Sequence, residues 1–295
     1  MADVLASPLL VVGPGRAGRA LARSWRRAGG RLVGLVGRTA QAASGAAREL
    51  ATDALDLSTA PPRVELLAVA VPDDLVASVA AGAAERVRAR LAFHLSGALP
   101  AAALAPFAAR GSALASLHPL RAFTGAPEDD WTGAFVAVEG DEPAIAEAEA
   151  IARALGATPY RIAPGSKSLY HAAAALAAGG TMALLSVAVR AAAAAGLPEA
   201  QARAALADLA AGAAAATARR PAGEVLTGPV ARRDAATVRA HAAALAARPE
   251  ALELYRRLAR EILEATPGRG REHEILSALD ETKPPHAPAE GSARR

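Results

Sequence analysis

The segment Gly13-Pro14-Gly15-Arg16-Ala17-Gly18 constrains this chain more than any other. It follows a short apolar run, Leu9-Leu10-Val11-Val12, and opens a stretch, Ala17 to Ala28, whose apolar residues recur at helical spacing. In that order each glycine has a task. The first permits a tight turn, the second lets a ligand approach the backbone, and the third lets the helix pack on the strand. The N–H groups at the helix start then offer an anion site. A bare Gly-x-Gly-x-x-Gly also occurs in ordinary strand-to-helix turns, but its place between a strand and a helix reads as a dinucleotide loop.

The rest of the first half repeats that alternation. Strands are predicted at Arg31–Val36, Asp53–Leu57, Glu65–Val71, Leu91–Leu95, Ala113–Leu117 and Ala134–Val138, with a short edge strand at Pro159–Ile162. Helices are predicted from Thr39, as cap, to Leu50, from Asp73, as cap, to Ala89, and over Pro143–Leu155. Strands alternating with helices predict a doubly wound parallel α/β sheet of the Rossmann kind. After Pro164-Gly165 the pattern becomes all helical. Ser166 is the expected cap of a long alanine-rich helix, Lys167–Ala195, followed by helices at Glu199–Ala218, Asp234–Ala246, Pro249–Glu264 and Glu272–Leu279. The expected organisation is therefore a dinucleotide-binding domain over 1–164, an all-α domain over 165–280, and a disordered tail over 281–295.

Composition narrows the function. The chain has 295 residues, enough for two domains, and no cysteine, which excludes thiolate chemistry and fits a reducing cytoplasm. The formal charge is only +4 and no basic block is interleaved with aromatics, so nucleic acid is not an expected partner. Ala172 to Val189 is uncharged and long enough to span a bilayer, but it is mostly weakly apolar alanine, and a buried helix is the expected reading. The start of the chain lacks the pattern of a secretory signal.

The end of the second strand selects the cofactor. An NAD site usually places an acid there for the ribose 2′-hydroxyl. Here the residues are Gly37-Arg38-Thr39. Arg38 can fork onto a 2′-phosphate, Thr39 can add a hydroxyl, and Arg16 and Arg19 lie near, so NADP(H) is the expected cofactor. A solvated Arg38 is the bland alternative.

Ligands in such sheets sit at the carboxyl ends of the strands. Val71-Pro72-Asp73-Asp74, His94-Leu95-Ser96-Gly97 and Leu117-His118-Pro119-Leu120-Arg121 end three of them. Val71 and Pro72 are expected beside the cofactor, and Ser96 and Gly97 beside the substrate. Lys167 and His171 share a face of the first long helix at i, i+4 spacing. Hydride transfer to a C=O or C=N bond needs a proton donor and a polarising group. Lys167 is the first candidate for donor, its pKa lowered by an apolar setting, with His171 one turn along and His118 as a second acid or base. Ser96 could bind a carboxylate or hydroxyl. Arg232 and Arg233, in the loop before the Asp234 cap, could bind an anion. Each has a plain structural reading beside the chemical one: a solvated lysine, packed histidines, a charged connector. No spacing suggests a metal site.

These residues resemble a superfamily. The glycine loop, Arg-Thr after strand two, Val-Pro-Asp after strand four, a Ser-Gly strand end and Lys-x-x-x-His opening a helical domain are similar to the β-hydroxyacid dehydrogenases, 6-phosphogluconate dehydrogenase, pyrroline-5-carboxylate reductase and the deazaflavin-dependent NADP reductases. Those families usually place Asn where this chain has His171. The fuller resemblance is to the Rossmann-like plus DUF2520 family, carried by His94-x-Ser96-Gly97, Leu117-His118-Pro119, Tyr170-His171-Ala172-Ala173-Ala174 and Leu226 to Arg232. That family usually has Gly where Arg233 stands. The resemblance implies an NADP(H)-dependent oxidoreductase of a small anionic carbonyl, imine or hydroxy acid, with a 6-phosphogluconate dehydrogenase-like helical domain and a homodimer through its helices. A non-catalytic NADP(H) sensor and a deazaflavin reductase are the alternatives.

Overall fold

The apolar runs of the first half become β1 (Leu9–Val12), β2 (Leu32–Val36), β3 (Asp53–Leu55), β4 (Arg63–Val69), β5 (Arg88–His94), β6 (Ala113–Pro119), β7 (Phe135–Gly140) and β8 (Thr158–Arg161). The computed structural model describes residues 4–281. In it these strands form one sheet in the order β3-β2-β1-β4-β5-β6-β7-β8. Helices α1 (Arg16–Arg27), α2 (Ala40–Glu49), α3 (Asp73–Arg86), α4 (Ala105–Ala108) and α5 (Glu142–Ala154) connect them. The expected disorder of the tail falls on residues 282–295, outside the described residues.

The sheet is buried on both sides, which is why its strands read as continuous apolar runs. Alternate residues of β1 point to opposite faces. Leu9 and Val11 join Trp25, Phe93, Leu117 and Ile151 on one face. Leu10 and Val12 join Leu67, Val76, Phe107 and Leu114 on the other. Helix starts follow the expectations unevenly. Thr39 caps α2 through its side chain, which accepts from the Ala42 N–H. Asp73 does not cap α3: it is the first helical residue, after an N-cap at Pro72. With Asp74 it instead places negative charge at the helix N-terminus.

The expected doubly wound sheet is present and mostly parallel; the exception lies near one edge, where β7 runs antiparallel to β6 and carries β8 with it in parallel. A parallel neighbour needs a crossover helix. Residues 120–134 contain none, so the chain turns back at the end of the sheet where β6 finishes. That return loop is anchored by side chains: Trp131 is fully buried, its N–H donates to Ser24 Oγ, and Arg23 donates to the carbonyls of Ala126 and Asp129.

Two compact units divide between Ala178 and Gly179. The first includes α6 (Lys167–Ala175). Ser166 stands at its N-cap, but the hydroxyl donates backwards to the Ala163 carbonyl and does not cap it. A π-turn at Leu176–Gly180 follows, and the helix continues as α7 (Thr181–Ala194). From Lys167 to Ala194 this helix is long and apolar enough to cross a membrane by length and composition, and Leu169, Leu176 and Met182 along it are exposed. The buried-helix expectation is therefore not met here.

The second unit continues with α8 (Glu199–Thr217), α9 (Ala222–Val225), α10 (Gly228–Ala231), α11 (Ala235–Leu245), α12 (Pro249–Ala265) and α13 (Glu272–Asp280). Asp234 caps α11 as expected. Its core gathers Val230, Val238, Leu263, Ile275 and Leu279. Arg233 is 3% exposed and holds φ +61, the left-handed conformation that a glycine would adopt freely. Its guanidinium donates to the carbonyls of Val230, Thr266 and Gly270, to Thr266 Oγ1 and to Glu272. Arg233 thus ties three segments together and is not free for a substrate anion. Arg232 is exposed on the same loop.

Candidate functional site

The glycine loop has the geometry its spacing predicts. Gly13 sits at φ +108, and a Cβ there would stand 2.3 Å from the Ala70 carbonyl oxygen. A Cβ on Gly18 would stand 2.0 Å from the Gly13 carbonyl oxygen. A Cβ on Gly15 would meet nothing within 4 Å. The outer glycines therefore let β1, β4 and α1 close on one another, while Gly15 faces open space. Helix α1 starts there with no side-chain cap, which leaves its first N–H groups to an external partner. Pro14, Gly15 and Arg16 lie at the surface of this turn, Ala17 and Gly18 behind it.

The next strand end is pinned from within. His94 is fully buried; its Nε2 donates to the Pro100 carbonyl, and its Nδ1 accepts from the Ser96 N–H. Those partners fix a neutral ring with the proton on Nε2. Burial pushes its pKa down to about 4. Ser96 Oγ accepts from the N–H groups of Ala98 and Leu99 and shapes the turn. Gly97 is required: a Cβ there would stand 2.4 Å from His171 Nδ1 and 2.9 Å from His118 Nε2.

Lys167, Tyr170 and His171 lie at i, i+3 and i+4, and α6 turns all three toward the strand ends. Lys167 is 3% exposed, and its Nζ donates to the Ser96 carbonyl at 2.7 Å and to Ser116 Oγ at 2.6 Å. Burial pulls its pKa down to about 8, against the attraction of Glu139 and Asp73. His118 Nδ1 lies 2.7 Å from the Tyr170 hydroxyl. Burial, and then the charges of Lys167 and His171, hold His118 near pKa 4. Burial and a hydrogen bond with Tyr160 push the Tyr170 hydroxyl well above the usual phenol range. His171 Nδ1 is buried without a hydrogen-bond partner.

A cavity of about 410 Å³ collects these pieces. Gly15, Arg16 and Ala17 form one wall, Val71, Pro72 and Asp73 a second, and Ser96, Gly97, His118 and His171 a third, with Arg121 and Phe123 at the side. Lys167 does not line it. Its ammonium lies behind the Ser96-Gly97 turn, with both bonds spent on protein oxygens. Arg38 is exposed after β2, beside the Thr39 cap, and does not line the cavity either. Arg19 lies 3.8 Å from Glu49 in an ion pair.

Ser116 escaped the sequence reading, and Arg121 and Tyr170 were named in it without a role. Ser116 receives Lys167; it shares a face of β6 with His118 at a spacing of two, a period that could have found it. Tyr170 and Arg121 had no such signal, since their roles depend on packing across long sequence separations.

A Rossmann-like domain model matches residues 5–119, and the model of a domain of unknown function (DUF2520) matches residues 134–262. In chain order the protein is thus similar to a Rossmann-like domain and then to a DUF2520 domain. The DUF2520 match begins inside the sheet and covers β7, α5 and β8 along with α6 to α11 and most of α12. No curated protein matches the chain. Solved structures share its fold. A protein from Thermotoga maritima superposes with a TM-score of 0.71 at 23% identity, over 87% of this chain and 97% of that one. An imine reductase from Myxococcus stipitatus in complex with NADP+ gives 0.62 at 20%, over 93% and 100%. A 1-pyrroline-5-carboxylate reductase from Streptococcus pyogenes gives 0.61 at 13%, over 88% and 98%.

The pinned His94 makes a measurable pH effect. Its pKa is near 6.5 unfolded and about 4 folded. Between those values the unfolded chain holds a proton that the folded chain refuses, so stability falls as pH drops through the window. The share from His94 is about 3 kcal/mol by pH 4. Thermal melts at pH 7 and pH 4.5 should show a smaller acid loss in His94→Gln than in the parent. Equal losses would remove His94 as the cause.

Proposed function

We propose that this chain is an NADP(H)-dependent oxidoreductase acting on a small anionic carbonyl, imine or hydroxy acid. One observation carries the reading: the glycine loop and the two unspent histidines, His118 and His171, line the same cavity. The shared fold with an imine reductase and a pyrroline-carboxylate reductase supports it.

The residues fit a bound nicotinamide dinucleotide. The open side of Gly15 and the uncapped start of α1 would hold the pyrophosphate, Arg38 and Thr39 the 2′-phosphate, and Val71 and Pro72 the segment beyond. When bound, the cofactor would supply or take up the hydride. Binding and polarisation fall to the protein. The Tyr170 hydroxyl has Tyr160 and His118 Nδ1 as its two partners; as donor to Nδ1 it would leave the His118 ring proton on Nε2, beside Gly97. That N–H can polarise a substrate oxygen or nitrogen by donating a hydrogen bond to it, while the proton comes from water. Arg16 and Arg121 supply positive charge for an anionic group. Lys167 acts as a positioning residue: its two bonds hold the Ser96 carbonyl and Ser116, and thereby the turn that carries Gly97.

Cofactor titration is the test. Arg38→Ala is expected to weaken NADPH binding about 10–100-fold, the loss of a charge-assisted contact, and to leave NADH affinity unchanged. Equal affinity for the two cofactors in the parent chain would reject the 2′-phosphate role of Arg38. No NADPH oxidation across a panel of keto acids, cyclic imines and hydroxy acids would reject the enzyme reading.

A further inference from the structure

A second cavity, of about 590 Å³, adjoins the first. The two share His118, Pro119, Arg121 and His171. Beyond that seam its walls are apolar: Leu120, Ala122, the rings of Tyr160 and Tyr170, and alanines of α6 and the π-turn. It is larger than the first cavity but lacks the glycine loop, so the phosphates have no place in it.

We propose that this alcove holds the apolar body of the substrate, and that the chain acts on a carbonyl or imine bearing a ring-sized or branched apolar group next to a carboxylate. The proposal rests on the oxidoreductase reading for its chemistry, though not for its binding. Three observations carry it. The reacting group would sit by His118 in the first cavity, and the second cavity adjoins it there, across the residues the two share. His171 lines both cavities, and its Nδ1, packed against Gly97, has no protein hydrogen-bond partner. Tyr160 and Tyr170 pack edge to face, with centroids 6.2 Å apart, and their hydroxyls are spent on each other and on His118. Their rings therefore offer apolar surface to the space between them and α6. Arg121, at the seam, donates through Nη1 to the Asp130 carbonyl at 3.2 Å and lies 3.7 Å from the Asp130 carboxylate, and its exposed guanidinium keeps donors for a second carboxylate.

Phenylpyruvate and pyruvate provide the comparison, since they share the keto acid and differ in the ring. Reduction of either would place hydride on the keto carbon and a proton, from water, on its oxygen, which the His118 N–H holds, with NADPH oxidised to NADP+. Binding is measured by ligand-observed NMR on the full chain, with and without NADPH, and turnover is measured separately. Phenylpyruvate is expected to bind at least about tenfold more tightly than pyruvate, as burial of a ring requires. Ala174→Phe, which fills the alcove from α6, should erase that preference and leave NADPH affinity unchanged. Ala174→Ser, of nearly native size, should keep it. Equal binding of the two acids, or a preference that survives Ala174→Phe, would overturn the alcove. So would a change from dimer to monomer in Ala174→Phe on sedimentation with the preference intact, which would mark this face as covered by a second copy. A binding preference without any NADPH oxidation would sink the reductase reading and leave the alcove standing. Equal turnover of both acids would do the reverse.

Discussion

His118→Gln is expected to lower turnover by about 10²–10³-fold and to leave NADPH affinity within about twofold. Glutamine keeps a polar tip of similar reach but not an N–H fixed at the position of the ring Nε2. The residue is half-buried at the cavity wall, and its other nitrogen is occupied by Tyr170. Tyr170→Phe removes the donor that fixes the ring proton on Nε2. Its expected loss is smaller, about tenfold, and it should also move the pH profile, because His118 would then titrate in altered surroundings. A packing defect alone would lower stability without moving that profile. Full activity in His118→Gln would transfer the polarising role to His171, the other histidine in the cavity.

The glycine loop gives the second large effect, and it separates binding from folding. Gly18→Ala places a methyl 2.0 Å from the Gly13 carbonyl oxygen, an overlap that no rotation of a side chain relieves. The start of α1 must move away from β1, so both stability and cofactor affinity should fall, with NADPH binding lost by at least about 100-fold and a destabilisation of about 2–4 kcal/mol, typical of overpacking against backbone. Gly15→Ala adds its methyl to open space. The empty protein should keep its stability within about 0.5 kcal/mol, as for an ordinary surface change. Its NADPH affinity should still fall by about tenfold or more, because close backbone approach to the pyrophosphate is the task assigned to the second glycine. Calorimetry and thermal melts on the two variants decide the matter. Undiminished NADPH binding in Gly15→Ala would move the phosphates off this loop.

What the sequence made legible follows from what the physics writes along the chain. A strand buried on both faces is a continuous apolar run, so β1, β2, β4 and β5 stand out between their glycines and prolines. Strand direction leaves no such mark. Residues 120–134 read as a loop either way, and only the missing crossover helix turns β7 antiparallel. Lys167 shows the same limit at the site. A lysine and a histidine four residues apart face the same way on any helix, and both do reach the strand ends. In an alanine-rich helix, however, nothing in the pattern says how deep each side chain goes. Packing put Lys167 behind the Ser96-Gly97 turn and left His171 at the cavity. The lowered pKa of Lys167 was foreseeable from burial; its lack of access was not.

Arg233 sets the two halves of the chain apart in acid. The Rossmann half keeps two histidines, His94 and His118, neutral by burial, and each resists the proton that acid would force on it. The helical unit is knotted by a guanidinium whose charge does not titrate, and whose partners, Glu272 aside, are carbonyls and a hydroxyl that do not titrate either. Falling pH therefore destabilises the Rossmann half through His94 and His118, while the Arg233 knot changes only at Glu272.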